Sequence, residues 1–197
     1  MIYHEHLTYY TLSTLNDFLN SHGLAVFDAY YSDIHSGSII ARASHPGQYE
    51  TTERCTAAFN DDKVFTKRRF KTFSEEIKKR RYTLKNLLLK IKGEGHSIWA
   101  YGAPAKGNTL LNYEGITNTL VEKAVEINPL KVGKILPVTN IPIELETKVS
   151  FPDYYLLLSH NFEKEILKKN EDFLRQGGKF IIPFPTPRII GKEECTL

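Results

Sequence analysis

Ser97-Ile98-Trp99-Ala100-Tyr101-Gly102-Ala103-Pro104-Ala105-Lys106-Gly107-Asn108-Thr109-Leu110-Leu111-Asn112-Tyr113 is the stretch that decides the fold of this chain. Its first five residues, mostly apolar and closed by a glycine, read as a short buried strand. The segment from about 105 to 113 reads as a helix entered through a glycine-bearing turn. The rhythm repeats downstream: Val121–Ile127 and Tyr154–Ser159 predict strands, Phe162–Arg175 predicts a helix, and Lys179–Pro183 predicts another strand. Strands that alternate with helices are joined by crossovers, which makes parallel pairing the economical arrangement. The expected architecture is therefore α/β: a Rossmann-like, mostly parallel doubly wound sheet, carrying a small N-terminal α/β appendage.

In such a sheet ligands sit beyond the carboxyl ends of the strands, and the first strand-to-helix turn is the usual anion cradle. The spacing from Gly102 to Gly107 imitates a phosphate-binding loop, but Asn108 stands where that motif needs lysine. The dinucleotide fingerprint also fails, because Pro104 replaces the glycine that lets a pyrophosphate approach the backbone. What survives is a helix N-terminus with free backbone donors and Lys106, able to hold one phosphate or a nucleotide sugar. The alternative is that these glycines only serve a tight turn and close packing. Glu126, ending the next strand, is placed either to meet ribose hydroxyls or to be a solvated strand end.

Upstream, Thr11 or Ser13 caps a short helix with Leu15, Phe18 and Leu19 at helical spacing, stopped by Gly23. Leu24–Tyr31 and Ser38–Ala43 have strand composition, with the Ser36-Gly37 turn signal between them. Residues 44 to 63 are polar and poorly patterned and read as a loop. A long amphipathic helix is predicted from Ser74 to about Lys92, ended by Gly93-Glu94-Gly95. These features suggest an N-terminal segment, 1–72, and a Rossmann-like domain, 73–197, in one compact unit.

The chain has 197 residues, 41% hydrophobic, enough for one sizeable core. A net charge of +3 is a mild basic excess that does not call for nucleic acid, and the cations from Lys67 to Lys85 are interleaved with Glu75, Glu76 and apolar residues at helical spacing. Cys55 and Cys195 are too few for a disulfide framework or a thiolate zinc site. No segment approaches the length of a bilayer span, and the polar start is not a secretory signal. These features suggest a cytoplasmic protein without a membrane partner.

The chain opens Met1-Ile2-Tyr3-His4-Glu5-His6, placing imidazoles, a carboxylate and a phenol in six residues. Such groups transfer protons near neutral pH once buried and oriented. As a regular strand, Tyr3 and Glu5 would share one face and His4 and His6 the other, which would suggest a two-histidine metal site. No third ligand is evident, and no metal is assigned. An idle, unstructured N-terminus is the plain alternative.

Two separated segments agree on one family. Ile2 to Tyr10 followed by Leu15, and Tyr101 to Tyr113, resemble the C-terminal half of the S-adenosylmethionine-dependent C-methyltransferases of deoxysugar biosynthesis. The resemblance extends over His35-Ser36-Gly37-Ser38, Ile127-Asn128-Pro129 with Lys131 and Gly133, Ile141-Pro142-Ile143, Pro152-Asp153-Tyr154 with Leu156-Leu157-Leu158, and Gly177 to Pro183. It implies that His6 is the base removing the proton beside a ketone. It implies too that Tyr3 and Glu5 hydrogen-bond the sugar and orient the imidazole. His4, His35, Gly37, Ser38, Tyr101, Gly102, Lys106, Gly107 and Asn108 would bind a pyrimidine diphosphate sugar.

In that family a preceding domain binds S-adenosylmethionine, so the donor is expected from a missing or separate domain, or a partner chain, and no cofactor from this one. Alone, the chain should not methylate; a homo-oligomer is compatible with the pattern. The alternative function is a non-catalytic sugar-nucleotide-binding or assembly module. The chain departs from the family pattern at Ser36, Ile40, Glu126, Val138, Asn140 and His160, where the family usually has glycine, arginine, aspartate, glycine, histidine and tryptophan.

Overall fold

The computed structural model describes residues 7–33, 37–147 and 149–192. The chain divides into two compact units, Met1–Lys79 and Arg80–Leu197.

In the first unit, helix α1 (Leu12–Asn20) starts at Thr11, whose hydroxyl accepts from the Thr14 amide, while the Thr14 hydroxyl accepts from the Thr11 amide. Strands β1 (Ala25–Ser32) and β2 (Ser38–Ser44) pair antiparallel. Residues 44–63, read from sequence as a loop, instead contain helix α2 (Glu53–Asp62), capped by the Thr52 hydroxyl at 3.2 Å from the Cys55 amide. Its buried face is only Cys55, Ala58 and Asp62, too narrow and too polar to register as an apolar period. Leu12, Val26, Ala29, Cys55 and Ala58 form the core of this unit.

That small core is locked by two buried carboxylates. Asp28 is bound by Nε and Nη2 of Arg54 and by the Thr52 hydroxyl, with Arg42 at 3.5 Å. Asp62 accepts the Leu12 amide at 2.9 Å and the Ser13 amide at 2.8 Å, fastening the end of α2 to the start of α1. Helix α3 (Lys67–Arg80) follows and buries none of its residues.

The second unit opens with α4 (Thr83–Gly93). The single helix expected from Ser74 to Lys92 is therefore two, and the first begins earlier, at Lys67. Tyr82 breaks the run in the left-handed region at φ 72°, its amide donating to the Glu114 carboxylate at 2.7 Å, a bond between residues 32 apart that no local pattern announces.

The sheet comprises β3 (Ile98–Tyr101), β4 (Ala124–Glu126), β5 (Ile135–Leu136), β6 (Ile141–Leu145), β7 (Tyr154–Leu157), β8 (Lys179–Ile182) and β9 (Arg188–Ile190). Its seven strands run in the order β5-β6-β4-β3-β7-β8-β9, with the five inner strands parallel and both edges antiparallel. This is the expected Rossmann-like α/β sheet. The edge strands and β6 were not foreseen: β5 and β9 are two or three residues long, and Pro142 disguises β6.

Helix α5 (Ala105–Glu114) carries the chain from β3 to β4. The helix expected over Phe162–Arg175 is a 3-10 turn, His160–Phe162, followed by α6 (Glu163–Lys169) and α7 (Glu171–Arg175). The break falls at Asn170, whose side-chain amide bonds the Ile166 carbonyl at 2.8 Å and the Tyr101 hydroxyl at 3.2 Å. The period-2 alternation of β3 splits the core. Ile98 and Ala100 join Leu84, Leu88, Ile91 and Leu111 from α4 and α5. Tyr101 joins Tyr155, Phe173, Leu174 and Phe180.

Candidate functional site

In the second unit the chain leaves β3 through α5 towards β4 on one side, and β7, reached later from β6, pairs with β3 on its other side. A crevice opens where that order reverses. The turn after β3 is built by two glycines that have distinct reasons to be glycine. Gly102 lies at φ +84°, and a Cβ there would meet the Ser159 hydroxyl at 2.2 Å. A Cβ on Gly107 would lie 2.7 Å from the Leu158 Cβ, so this glycine brings the first turn of α5 against the chain leaving β7. Tight turn and close packing, one of the two readings open from sequence, are therefore both real.

The same geometry leaves a set of donors. Pro104 caps α5 without a side-chain hydrogen bond, and the first intrahelical bond is from the Asn108 amide to the Pro104 carbonyl at 3.1 Å. The amides of Ala105, Lys106 and Gly107 have no carbonyl within the helix to bond, and the helix dipole favours an anion there. Lys106 stands in this first turn. Its charge acts on His160 in the loop after β7: burial, opposed by the Leu158 carbonyl and reinforced by Lys106, holds that imidazole below its ordinary pKa. Asn108 Oδ1 is buried and has no hydrogen-bond partner, a cost unless something brings a donor.

Beside the turn lies a cleft of about 380 Å³ lined by Tyr101, Gly102, Glu126, Ile127, Phe162, Ile166 and others. Its polar corner is closed on itself. The Tyr101 hydroxyl donates to Glu146 at 2.7 Å, and Lys169 donates to the other Glu146 oxygen at 2.7 Å. Burial pushes the Tyr101 phenol up, so it remains a donor at neutral pH. Val125, Ile127, Phe162 and Ile166 supply its apolar walls, and Glu126, Ser159 and Glu165 are further polar members of the lining.

Glu126 is neither solvated nor free for a ribose. One oxygen accepts from the Ile127 and Asn128 amides at 3.0 and 3.2 Å, the other from the Ala103 amide at 3.1 Å and Lys131 at 3.2 Å. Burial works against its charge, but these four donors outweigh it and keep the carboxyl below its ordinary pKa. Four donors fill the acceptor capacity of a carboxylate.

The first unit has its own cavity, of about 400 Å³, lined by Tyr10, Thr11, Tyr31, Asp33, Gly37, Ser38, Asp62 and Phe65 among others. Gly37, at φ +114°, and Ser38 are thus placed on its wall. Tyr101 and Gly102 line the cleft of the second unit, and Lys106, Gly107 and Asn108 form the first turns of α5. Tyr3, His4, Glu5, His6 and His35 lie outside the described residues. Among the described residues no three His, Cys, Asp or Glu side chains converge as a metal site, and no helix is long and apolar enough to cross a membrane.

Sequence reasoning passed over Glu146, Lys169, Ser159 and Phe162 in one unit and Tyr31, Asp62 and Phe65 in the other. The only usable signal was position: Glu146 directly follows β6, and Ser159 closely follows β7, at carboxyl ends where ligands gather.

Comparison with known proteins places the chain in a family. A family model described as the C-methyltransferase C-terminal domain matches residues 33–185. The C-methyltransferase NovU of Streptomyces niveus is 35% identical over 199 residues, which cover 98% of this chain and 47% of that protein. The chain thus spans about half the length of that relative.

Proposed function

Because the chain belongs to the family of C-methyltransferase C-terminal domains, we propose that it is the acceptor-holding, base-carrying part of a C-methyltransferase acting on a nucleotide-linked ketodeoxysugar. The second unit binds the nucleotide end: the α5 amides and Lys106 take the phosphates, and the neighbouring cleft takes the nucleoside. The observation that carries this reading is the side-chain-free N-cap of α5, with Lys106 in its first turn and the partnerless Asn108 oxygen one turn on.

Methylation of carbon beside a ketone requires loss of an α-proton. His6 is assigned that proton, with Tyr3 and Glu5 orienting the imidazole and bonding the sugar oxygens. S-adenosylmethionine, the donor that the family uses, supplies an electrophilic methyl group. The described residues do not fit it, because the strand-end carboxylate that would hold its ribose is filled by Ala103, Ile127, Asn128 and Lys131. The donor is therefore assigned to a further segment or a companion chain.

The test is calorimetric titration with thymidine diphosphate and a thymidine diphosphate sugar. Lys106→Ala is expected to weaken both by about 1–3 kcal/mol through loss of a charged hydrogen bond; unchanged affinity would leave the turn purely structural. With a donor domain supplied, His6→Ala should abolish turnover and leave affinity within a few-fold.

A further inference from the structure

The second unit holds a titratable side chain, His160, to which the phosphate chemistry above gives no part. It follows β7 directly after Ser159, and this stretch of chain lies against the turn after β3 at two points. A Cβ on Gly102 would meet the Ser159 hydroxyl at 2.2 Å, and one on Gly107 would lie 2.7 Å from the Leu158 Cβ. The half-buried imidazole is therefore carried on the loop that packs beside the first turn of α5.

Its protonation is defined by its neighbours. Nδ1 lies 3.3 Å from the Leu158 carbonyl, which can only accept, so Nδ1 carries the proton of the neutral ring and Nε2 is the atom that titrates. The ring packs against Phe184 with centroids 4.9 Å apart. His160 also lines a surface hollow of about 510 Å³ with Glu163, Lys164, Glu165 and Arg188, through which water can deliver a proton.

The charges around the ring decide its state. Burial acts first and disfavours the imidazolium; the Leu158 carbonyl opposes it, Lys106 of α5 adds to it, and Glu163 at the start of α6 favours the cation. Glu163 is already paired with Arg188 of β9 at 2.5 Å, and Lys164 and Glu165 carry opposite signs. Without an anion, the imidazole is neutral at neutral pH. A diphosphate set against Lys106 reverses the sign of that field and makes a second cation favourable.

We propose that His160 is the second cation of this anion site, its Nε2 taking a proton from solvent as a diphosphate settles on the first turn of α5 beside Lys106. The inference rests on the phosphate reading above and deepens it: one charge of the clamp is permanent and the other is induced by the ligand. Affinity gained in this way is complete below the titration of the free imidazole and is lost as pH rises through that of the bound one.

The test is the calorimetric binding of a thymidine diphosphate sugar from about pH 8 to about pH 5.5. Esterified at both ends, its diphosphate lacks the titration at about pH 6 that a terminal phosphate has, so the pH dependence belongs to the protein. Wild-type affinity should rise about five-fold or more over that range, with proton uptake seen as a buffer-dependent enthalpy; in His160→Gln the rise should be less than about two-fold. Equal pH dependence in the two proteins overturns the assignment.

A second readout does not need the sugar. The His160 ring resonance, identified by its absence in His160→Gln, is followed by NMR against pH with and without millimolar inorganic pyrophosphate. Its titration should move to higher pH with pyrophosphate. A wild type that binds no nucleotide sugar defeats the nucleotide reading, and the pyrophosphate titration then decides alone: a moved ring titration supports the two-cation site, and an unmoved one overturns it.

Discussion

The two units reach order by different means. The second is held by apolar layers on both faces of a parallel sheet, from Leu88 and Leu111 on one side to Tyr155 and Phe180 on the other. Among the described residues the first has only a small cluster around Leu12, Val26 and Cys55, and depends on the tied carboxylates Asp28 and Asp62. A small unit buries too little surface to define a unique packing by apolar contact alone. Directional bonds between α1, α2 and the hairpin supply the missing definition.

The largest expected effect tests the apolar side of this contrast. Phe180 is fully buried against Tyr101, Tyr155 and Phe173, and Phe180→Ala should cost about 3–5 kcal/mol in urea unfolding. A loss below that range would mean that the sheet's second face relaxes around the void.

Next comes the acid response, which tests the polar side. Arg54 beside Asp28, helped by Thr52 and Arg42 and opposed by burial, lowers the carboxyl from 3.8 to about 2. A depressed carboxyl stabilises the fold above its unfolded value, and that contribution is lost as pH falls through the folded value. The first unit should therefore keep its melting temperature down to about pH 4 and lose it progressively towards pH 2. Asp28→Asn should shrink this acid limb, as read by thermal melts across that window, and leave the share of Asp62, whose carboxyl is also held below its ordinary value, burial being outweighed by hydrogen bonds from Ser13 and Leu12.

Asp62→Ala leaves the Leu12 and Ser13 amides without acceptors and should cost about 1–2 kcal/mol, the value of a helix cap. Hydrogen exchange should rise selectively at those two amides. The smallest effect is a gain. Val138, a β-branched residue at φ 68° and 81% exposed, stands in a left-handed conformation. Val138→Gly should stabilise by about 0.5–1 kcal/mol, once strain relief is set against the entropy of glycine.

The contrast also explains what could be read from sequence. The second unit was legible because burial on both faces of its inner strands writes apolar runs such as Tyr154–Leu157 directly into the chain. α2 was not, because its buried face includes a charged residue, Asp62, and its start depends on the Thr52 hydroxyl. The break at Tyr82 was hidden because its cause, Glu114, lies in another helix. In the site, Gly102, Lys106 and Gly107 announced a turn at a helix start. The filled state of Glu126 could not be read, since three of its four donors are backbone amides and carry no residue signature.

The fourth of those donors is Lys131, whose ammonium also bonds the Ala103 carbonyl at 3.0 Å. Two loops at neighbouring strand ends are thereby stitched together by one side chain. A fold that elsewhere offers this carboxylate to a ligand's diol keeps it here for its own backbone. The lysine acts as a stopper: together with the Ala103, Ile127 and Asn128 amides it leaves the acid at the end of β4 no open acceptor position, so the neighbouring loops are tied by the very group that could otherwise face outward.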